Sequence, residues 1–155
     1  MNSVTDPLNP IVKPTTISFY QQLNKALAKQ DSTTEPELFQ GMQDSTSALS
    51  RAFQFIEANY HQPISLSDVA KAVGYSSAYF TDLVRRETGQ TVNQWILKRR
   101  LKEACCLLLE TNQTVHHIAE ALGYQNVGYF FRQFRQYYGT TPQSWRIKQR
   151  NPARI

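Results

Sequence analysis

One segment of this chain is written twice, and a repeat of this size restricts the fold more than any bulk property. Ser67 to Ile96 reads SDVAKAVGYSSAYFTDLVRRETGQTVNQWI, and His116 to Ile147 reads HHIAEALGYQNVGYFFRQFRQYYGTTPQSWRI. Val69, Ala70, Ala72, Val73, Gly74 and Tyr75 match Ile118, Ala119, Ala121, Leu122, Gly123 and Tyr124 at a spacing of 49 residues. One extra residue, expected near Gly128, then lengthens the spacing to 50. Tyr79, Phe80, Val84, Arg85, Gly89, Thr91 and Trp95 answer to Tyr129, Phe130, Phe134, Arg135, Gly139, Thr141 and Trp145. One supersecondary unit is therefore expected twice.

Each copy has the pattern A-x-x-x-G-Y followed by an amphipathic helix, which reads as a helix-turn-helix. Ser65 or Ser67 in the first copy, and Thr114 in the second, can cap the first helix, and Asp68 adds favourable charge in its opening turn. Ala70 and Ala119 are expected where two helices cross closely. Gly74 and Gly123 are expected to end that helix in the left-handed conformation that lets the chain turn sharply. The second helix then turns Phe80 with Leu83 or Val84 inward, or Phe130 and Phe134 in the other copy. Its polar and basic face stays outside, and in this motif that face enters a DNA major groove. A lone copy would fit any tight helical hairpin. Two copies, each followed by a basic helix and a Gly turn, favour DNA binding.

Val92 to Glu110 lies between the copies, with Trp95, Ile96, Leu97, Leu101, Ala104, Cys105 and Leu108 at helical spacing. A helix of these 19 residues would span about 28 Å, against ~34 Å between successive major grooves on one side of B-DNA. A connecting helix of this length is expected to hold two recognition helices in neighbouring grooves. One chain could then read an asymmetric site as a monomer, without dimerising.

Upstream, residues 1–46 are expected to form a leader: an irregular tail containing Pro7, Pro10 and Pro14, then a short amphipathic helix on Ile17, Tyr20, Leu23, Asn24 and Leu27. A brief helical turn is expected over Glu37 to Met42. The DNA-binding domain is expected over 47–150, with Ser47 capping a helix on Leu49, Phe53, Ile56 and Tyr60, and 151–155 as a tail. Within it the first helix-turn-helix is placed at about 66–87, the linker helix at about 92–110 and the second at about 115–138. Charge follows this division. The leader holds three Lys against five acids, and the remainder 14 Lys and Arg against 7 acids, within a net charge of +5. A basic body of this kind suits a polyanion partner. No run approaches the ~18 apolar residues of a membrane span, and no secretory signal is visible, so a cytoplasmic protein is expected. Two adjacent cysteines, Cys105 and Cys106, fit a reducing compartment.

These residues closely resemble the DNA-binding domain of the AraC/XylS family of bacterial transcription regulators. The resemblance covers about Leu49 to Arg146. Its most specific part is Ile118-Ala119, Gly123-Tyr124, Tyr129-Phe130, Arg132, Phe134, Gly139-Thr-Thr-Pro142 and Trp145-Arg146. It implies an all-α fold: seven helices in two homeodomain-like three-helix subdomains joined by the long helix. It also implies promoter binding that helps or hinders RNA polymerase, with activation expected. Three features depart from the family. Gly89-Gln-Thr-Val92 stands where a proline is frequent. Thr81 and Asp82 stand where related proteins often present a longer polar or basic pair. The leader is also too short for the sensor domain many members carry, so the chain is expected to be a sensorless member or a regulator lacking its sensing half.

On the first recognition helix the expected DNA contacts are Ser76, Ser77, Ala78, Thr81, Asp82 and Arg85. Ser and Thr can donate to bases or phosphates, and Ala78 can meet a thymine methyl. Asp82 either accepts from a cytosine amino group or pairs with Arg85 or Arg86. On the second, the expected contacts are Gln125, Asn126, Gly128, Phe131, Arg132 and Arg135. Arg132 falls where the family places a base-reading side chain and suits guanine O6 and N7, the alternative being a phosphate contact. Phe131 either meets a thymine or closes the core. Lys98, Arg99 and Arg100 are expected on a solvated or phosphate-facing edge.

No enzyme chemistry is expected. Cys105 and Cys106 have apolar neighbours and no cue that would lower a thiol pKa. His116 and His117 point about 100° apart on a helix and, with no acid or Cys partner expected at i+4, chelate poorly. No phosphate loop, nucleophile elbow or carboxylate pair is present, and neither cofactor nor metal is called for. The competing classes are an architectural DNA protein without sequence preference, which would want minor-groove wedges and heavier charge, and a DNA-repair alkyl acceptor, which would need a reactive cysteine.

Overall fold

The computed structural model describes the backbone from Pro36 to Pro152 and side chains from Ser45 onward. Among these residues the fold is all-helical: α1 (Pro36–Asn59), α2 (Leu66–Val73), α3 (Ser77–Thr88), α4 (Val92–Glu110), α5 (Val115–Ala121), α6 (Val127–Tyr138) and α7 (Pro142–Arg150). The leader helix expected over Ile17 to Lys29 lies outside the described residues. Two compact units divide the rest. One contains α1 with Tyr60 after it, and Ile64–Arg99; the other contains His61–Pro63 and the chain from Arg100 on.

The first element departs from expectation. α1 starts at Pro36 and runs unbroken, so Ser47 lies inside it and the turn expected at Glu37 to Met42 belongs to the same helix.

In the first unit, Leu49, Ala52, Phe53 and Ile56 of α1 pack with Val69, Ala70 and Val73 of α2, Phe80, Leu83 and Val84 of α3, and Val92, Trp95 and Ile96 of α4. Phe53 and Trp95 meet edge to face at 4.9 Å, a geometry that aligns a positive ring edge with a negative ring face. The indole N–H is satisfied by Thr88 Oγ1 at 3.1 Å. Arg99 is buried in this unit as well. It makes a two-pronged contact with Glu57, Nε to Oε2 at 2.7 Å and Nη2 to Oε1 at 2.9 Å, and stacks over Tyr60 at 4.2 Å.

The second unit buries Leu101, Ala104, Cys105 and Leu108 of α4, Ile118 and Ala119 of α5, Phe130 and Phe134 of α6, and Trp145 of α7. Thr141 caps α7 by accepting from Ser144 N–H, with Pro142 buried at the first turn. Arg146 is buried and donates to the carbonyls of Leu108 and Gln113, at 2.9 and 2.7 Å. Arg150 reaches the Leu108 carbonyl at 2.8 Å. Cations thus close the carbonyl end of α4, where orphan acceptors and the negative end of the helix dipole coincide.

The A-x-x-x-G-Y signature has a backbone explanation. Gly74 N–H donates to Lys71 O and Tyr75 N–H to Ala70 O; Gly123 N–H and Tyr124 N–H repeat this with Glu120 O and Ala119 O. These are the paired closures of a Schellman motif, and both glycines are left-handed, at φ 81° and 86°. The two copies then differ. A Cβ on Gly74 would meet nothing within 4 Å, whereas one on Gly123 would lie 2.8 Å from the backbone oxygen of Gln62. Gly74→Ala should therefore cost about 1–2 kcal/mol, the ordinary penalty for a left-handed L-residue. Gly123→Ala should cost clearly more, because backbone must also move. Denaturant unfolding of both variants checks this; equal losses would contradict it.

Candidate nucleic-acid interface

Each recognition helix is oriented by what it buries. On α3, Phe80, Leu83 and Val84 are inside; on α6, Phe130 and Phe134. Residues offset by about 100° per position from those anchors must then face out. Ser76, Ala78, Asp82 and Arg85 are exposed, and Ser77 and Thr81 half-buried. On the second copy Gln125, Asn126, Gly128, Arg132 and Arg135 are exposed, with Phe131 exposed at 37%. All the expected contact residues thus lie at or near the surface of one helix or the turn before it.

Several of them also hold the helix ends. Ser76 caps α3, its Oγ accepting from Tyr79 N–H at 3.2 Å; Asn126 caps α6, its Oδ1 accepting from Tyr129 N–H at 3.0 Å. These equivalent caps place the extra residue of the second copy at Gln125, in the turn, rather than near Gly128. Inside a helix it would rotate every later side chain by about 100°, whereas a turn absorbs it. Thr81 Oγ1 donates to Ser77 O at 2.7 Å, so its hydroxyl hydrogen is already engaged.

The charged groups separate into structural and available ones. Arg99 is inside the first unit, and Arg100 donates to the Gln62 carbonyl at 2.7 Å and lies over the Tyr124 ring at 5.3 Å. Lys98 is half-buried over the Trp95 ring at 5.4 Å. The expectation of a solvated edge is therefore corrected for Arg99, whose partner Glu57 lies 42 residues away in sequence, beyond the reach of local pattern. Arg86 faces Glu87 at 3.3 Å, and Asp82 forms no ion pair among the described residues.

Two side chains were missed as candidates. Tyr79 and Tyr129 occupy matching positions and are each 49% exposed. Tyr129 lies beneath the Arg132 guanidinium at 5.8 Å, a cation–π contact that limits where that group can go. The repeat had flagged both tyrosines, but as framework. A further correction concerns His116, whose Nε2 faces Glu120 at 3.3 Å across one helical turn. Both groups are exposed, and among the described residues no cluster of three or more metal-ligating side chains forms.

These units, each a short capped helix, a left-handed turn and an outward polar helix, define a two-motif helix-turn-helix DNA-binding domain. Comparison with known proteins agrees. A family model described as a helix-turn-helix domain matches residues 69–148. The multiple antibiotic resistance protein MarA of Salmonella typhimurium is 31% identical over 93 residues, covering 60% of this chain and 73% of MarA. The transcriptional activator NphR of Rhodococcus is 36% identical over 102 residues, covering 65% of this chain and 30% of NphR. A crystal structure of an AraC-type regulator from Chromobacterium violaceum superposes with a TM-score of 0.63 at 29% identity, covering 70% of this chain and 96% of that one. The chain belongs to the AraC/XylS family of transcription regulators. The match to relatives ranges from about a third to about three quarters of their length.

The cysteines sit in the core of the second unit. Burial pushes the Cys105 thiol up to about 12, a hydrogen bond with Tyr138 offsetting only part of that. A raised pKa leaves the thiol protonated, and the protonated form is the unreactive one. Cys106 is buried too. Neither thiol should react with a disulfide reagent at pH 8 in the native protein, and both should in denaturant. Rapid native labelling would restore the alkyl-acceptor alternative.

Proposed function

We propose that this chain binds one asymmetric promoter site as a monomer, setting α3 and α6 into successive major grooves, and activates transcription there through contact with RNA polymerase. The observation that carries the reading is the pair of outward helix faces, each fixed by buried aromatic anchors and each bearing base-reading chemistry. The single helix α4, 19 residues long, has a length on the scale of the groove repeat. MarA and NphR, a resistance protein and an activator by name, support a regulatory role.

In this reading Arg132, steadied by Tyr129, takes guanine O6 and N7, and Phe131 meets a thymine methyl. Gln125 and Asn126 meet bases or phosphates through their amides. Arg85 and Arg135 neutralise phosphates, each adding about −0.9 to the slope of log affinity against log salt. Ser76, Ser77, Ala78 and Thr81 supply the shorter contacts of the first half, and Gly128 allows close approach. The domain works by binding, without catalysis or cofactor, in the cytoplasm on nucleoid DNA.

Selection of sites from random duplexes by the purified chain tests this. The wild type should yield a bipartite sequence preference that survives random competitor DNA. Arg132→Ala should lose the preference at one position, at a cost of ~1–3 kcal/mol. An unchanged sequence logo in that variant would remove Arg132 as a base reader. Equal binding of selected and random DNA by the wild type would replace the whole reading with an architectural role.

A further inference from the structure

We propose that Asp82 selects a cytosine in the half-site met by α3, at the helix position where Arg132 selects a guanine in the other half. The proposal rests on the groove-binding reading above. It adds that the duplicated helices read equivalent positions with opposite charge.

The equivalence comes from the caps. Asp82 stands six residues beyond the Ser76 cap, and Arg132 six beyond the Asn126 cap. Both lie two residues past a fully buried phenylalanine, Phe80 or Phe130, and three past a half-exposed tyrosine, Tyr79 or Tyr129. With both ends of the comparison pinned, the two side chains leave their helices at the same height and the same angle. One is a carboxylate and the other a guanidinium.

A carboxylate on a face that meets DNA needs a reason, because it repels the phosphates on either side of the groove. Local pairing is the simplest one, and it is not what is found. Arg86, four residues on, faces Glu87, and Asp82 forms no ion pair among the described residues. Ionised Asp is an acceptor only, so it can be satisfied in the major groove only by an exocyclic amino group. Cytosine N4 and adenine N6 are the two available. Adenine carries its N7 acceptor beside that donor, which opposes a second carboxylate oxygen, whereas cytosine carries only a C–H there. Cytosine is therefore preferred. Arg132 has the inverse requirement, donors only, and guanine meets it with two acceptors.

The test is site selection with the full chain and two variants at this exposed position, each checked for helical content by circular dichroism. The wild type should show a cytosine at one position of one half-site. Asp82→Asn should move that position toward adenine, whose N6 and N7 match a carboxamide, with the cytosine-to-adenine ratio changing roughly tenfold. Asp82→Ala should flatten it without substituting another base, and both should leave the Arg132 position untouched. If instead the variants bind every sequence more tightly with the logo unaltered, Asp82 acts only as a repulsive charge and the proposal is wrong. A wild type with no preference at any position would overturn the parent reading, an outcome readily told apart from that one.

Discussion

The rotation of each recognition helix about its own axis is the constraint on which everything else here depends. An α-helix turns about 100° per residue, so an error of one residue in its seating would bury the outward polar face and expose the core. Phe80 with Leu83 and Val84, and Phe130 with Phe134, are spaced to fill one stripe and are essentially inaccessible. Exposing a phenylalanine of this kind forfeits on the order of 2–3 kcal/mol. Two or three such anchors per helix exclude other rotations under any ordinary condition. In the second unit, Phe130 meets Tyr124 at 5.0 Å and Phe134 meets Trp145 at 6.1 Å, so the anchors are themselves held by aromatic neighbours from the turn and from α7.

The two units reach this end by different means, although they begin from one repeat. The first packs α2 and α3 against the long α1 and fastens α4 to α1 through Arg99 and Glu57, a contact with two hydrogen bonds and little solvent. Breaking such a pair by removing one member costs more than the pair contributes, about 3–5 kcal/mol, because the survivor is left charged and partly buried. The second unit instead turns cations onto the end of α4: Arg146 and Arg150 both reach the Leu108 carbonyl. It also brings the Gln62 backbone against Gly123, which is why glycine there answers to space as well as to dihedral angle. These interactions complete acceptors that a helix end would otherwise leave to water.

What could be read from sequence was whatever is decided within a few residues. The Schellman turns at Gly74 and Gly123, the Thr114 cap and the inward aromatics all follow from spacing and local hydrogen-bond chemistry. The first cap was narrowed to two serines, and the structure selects Ser65, because only from there can Asp68 return the hydrogen bond, at 2.8 Å to Ser65 N–H. Interactions that join distant segments were not legible. Lys98, Arg99 and Arg100 look alike in a basic run, yet Arg99 is buried and stacked on Tyr60. The His116–Glu120 pair was within local reach and was overlooked. Tyr79 and Tyr129 were visible as matches but not as surface, since a tyrosine at helical spacing beside a phenylalanine reads as core until exposure is known.

The duplication also supplies an internal control on which positions the fold decides. Inward positions keep their chemistry between copies: Val69 and Ile118, Ala70 and Ala119, Phe80 and Phe130, Trp95 and Trp145, all buried. Outward positions are free to diverge, as Ala78 does from Gly128, Thr81 from Phe131 and Asp82 from Arg132, although Arg85 and Arg135 stay the same. A close-packed interior restricts volume and polarity at every site it encloses, whereas an exposed helix face restricts neither. The outer face can therefore change charge without disturbing the scaffold that aims it. Tyr129 beneath Arg132 fits this division, for an aromatic ring at the rim of the core can border a cation without altering the packing beneath. A single chain can thus carry two outward faces of opposite charge on one repeated frame.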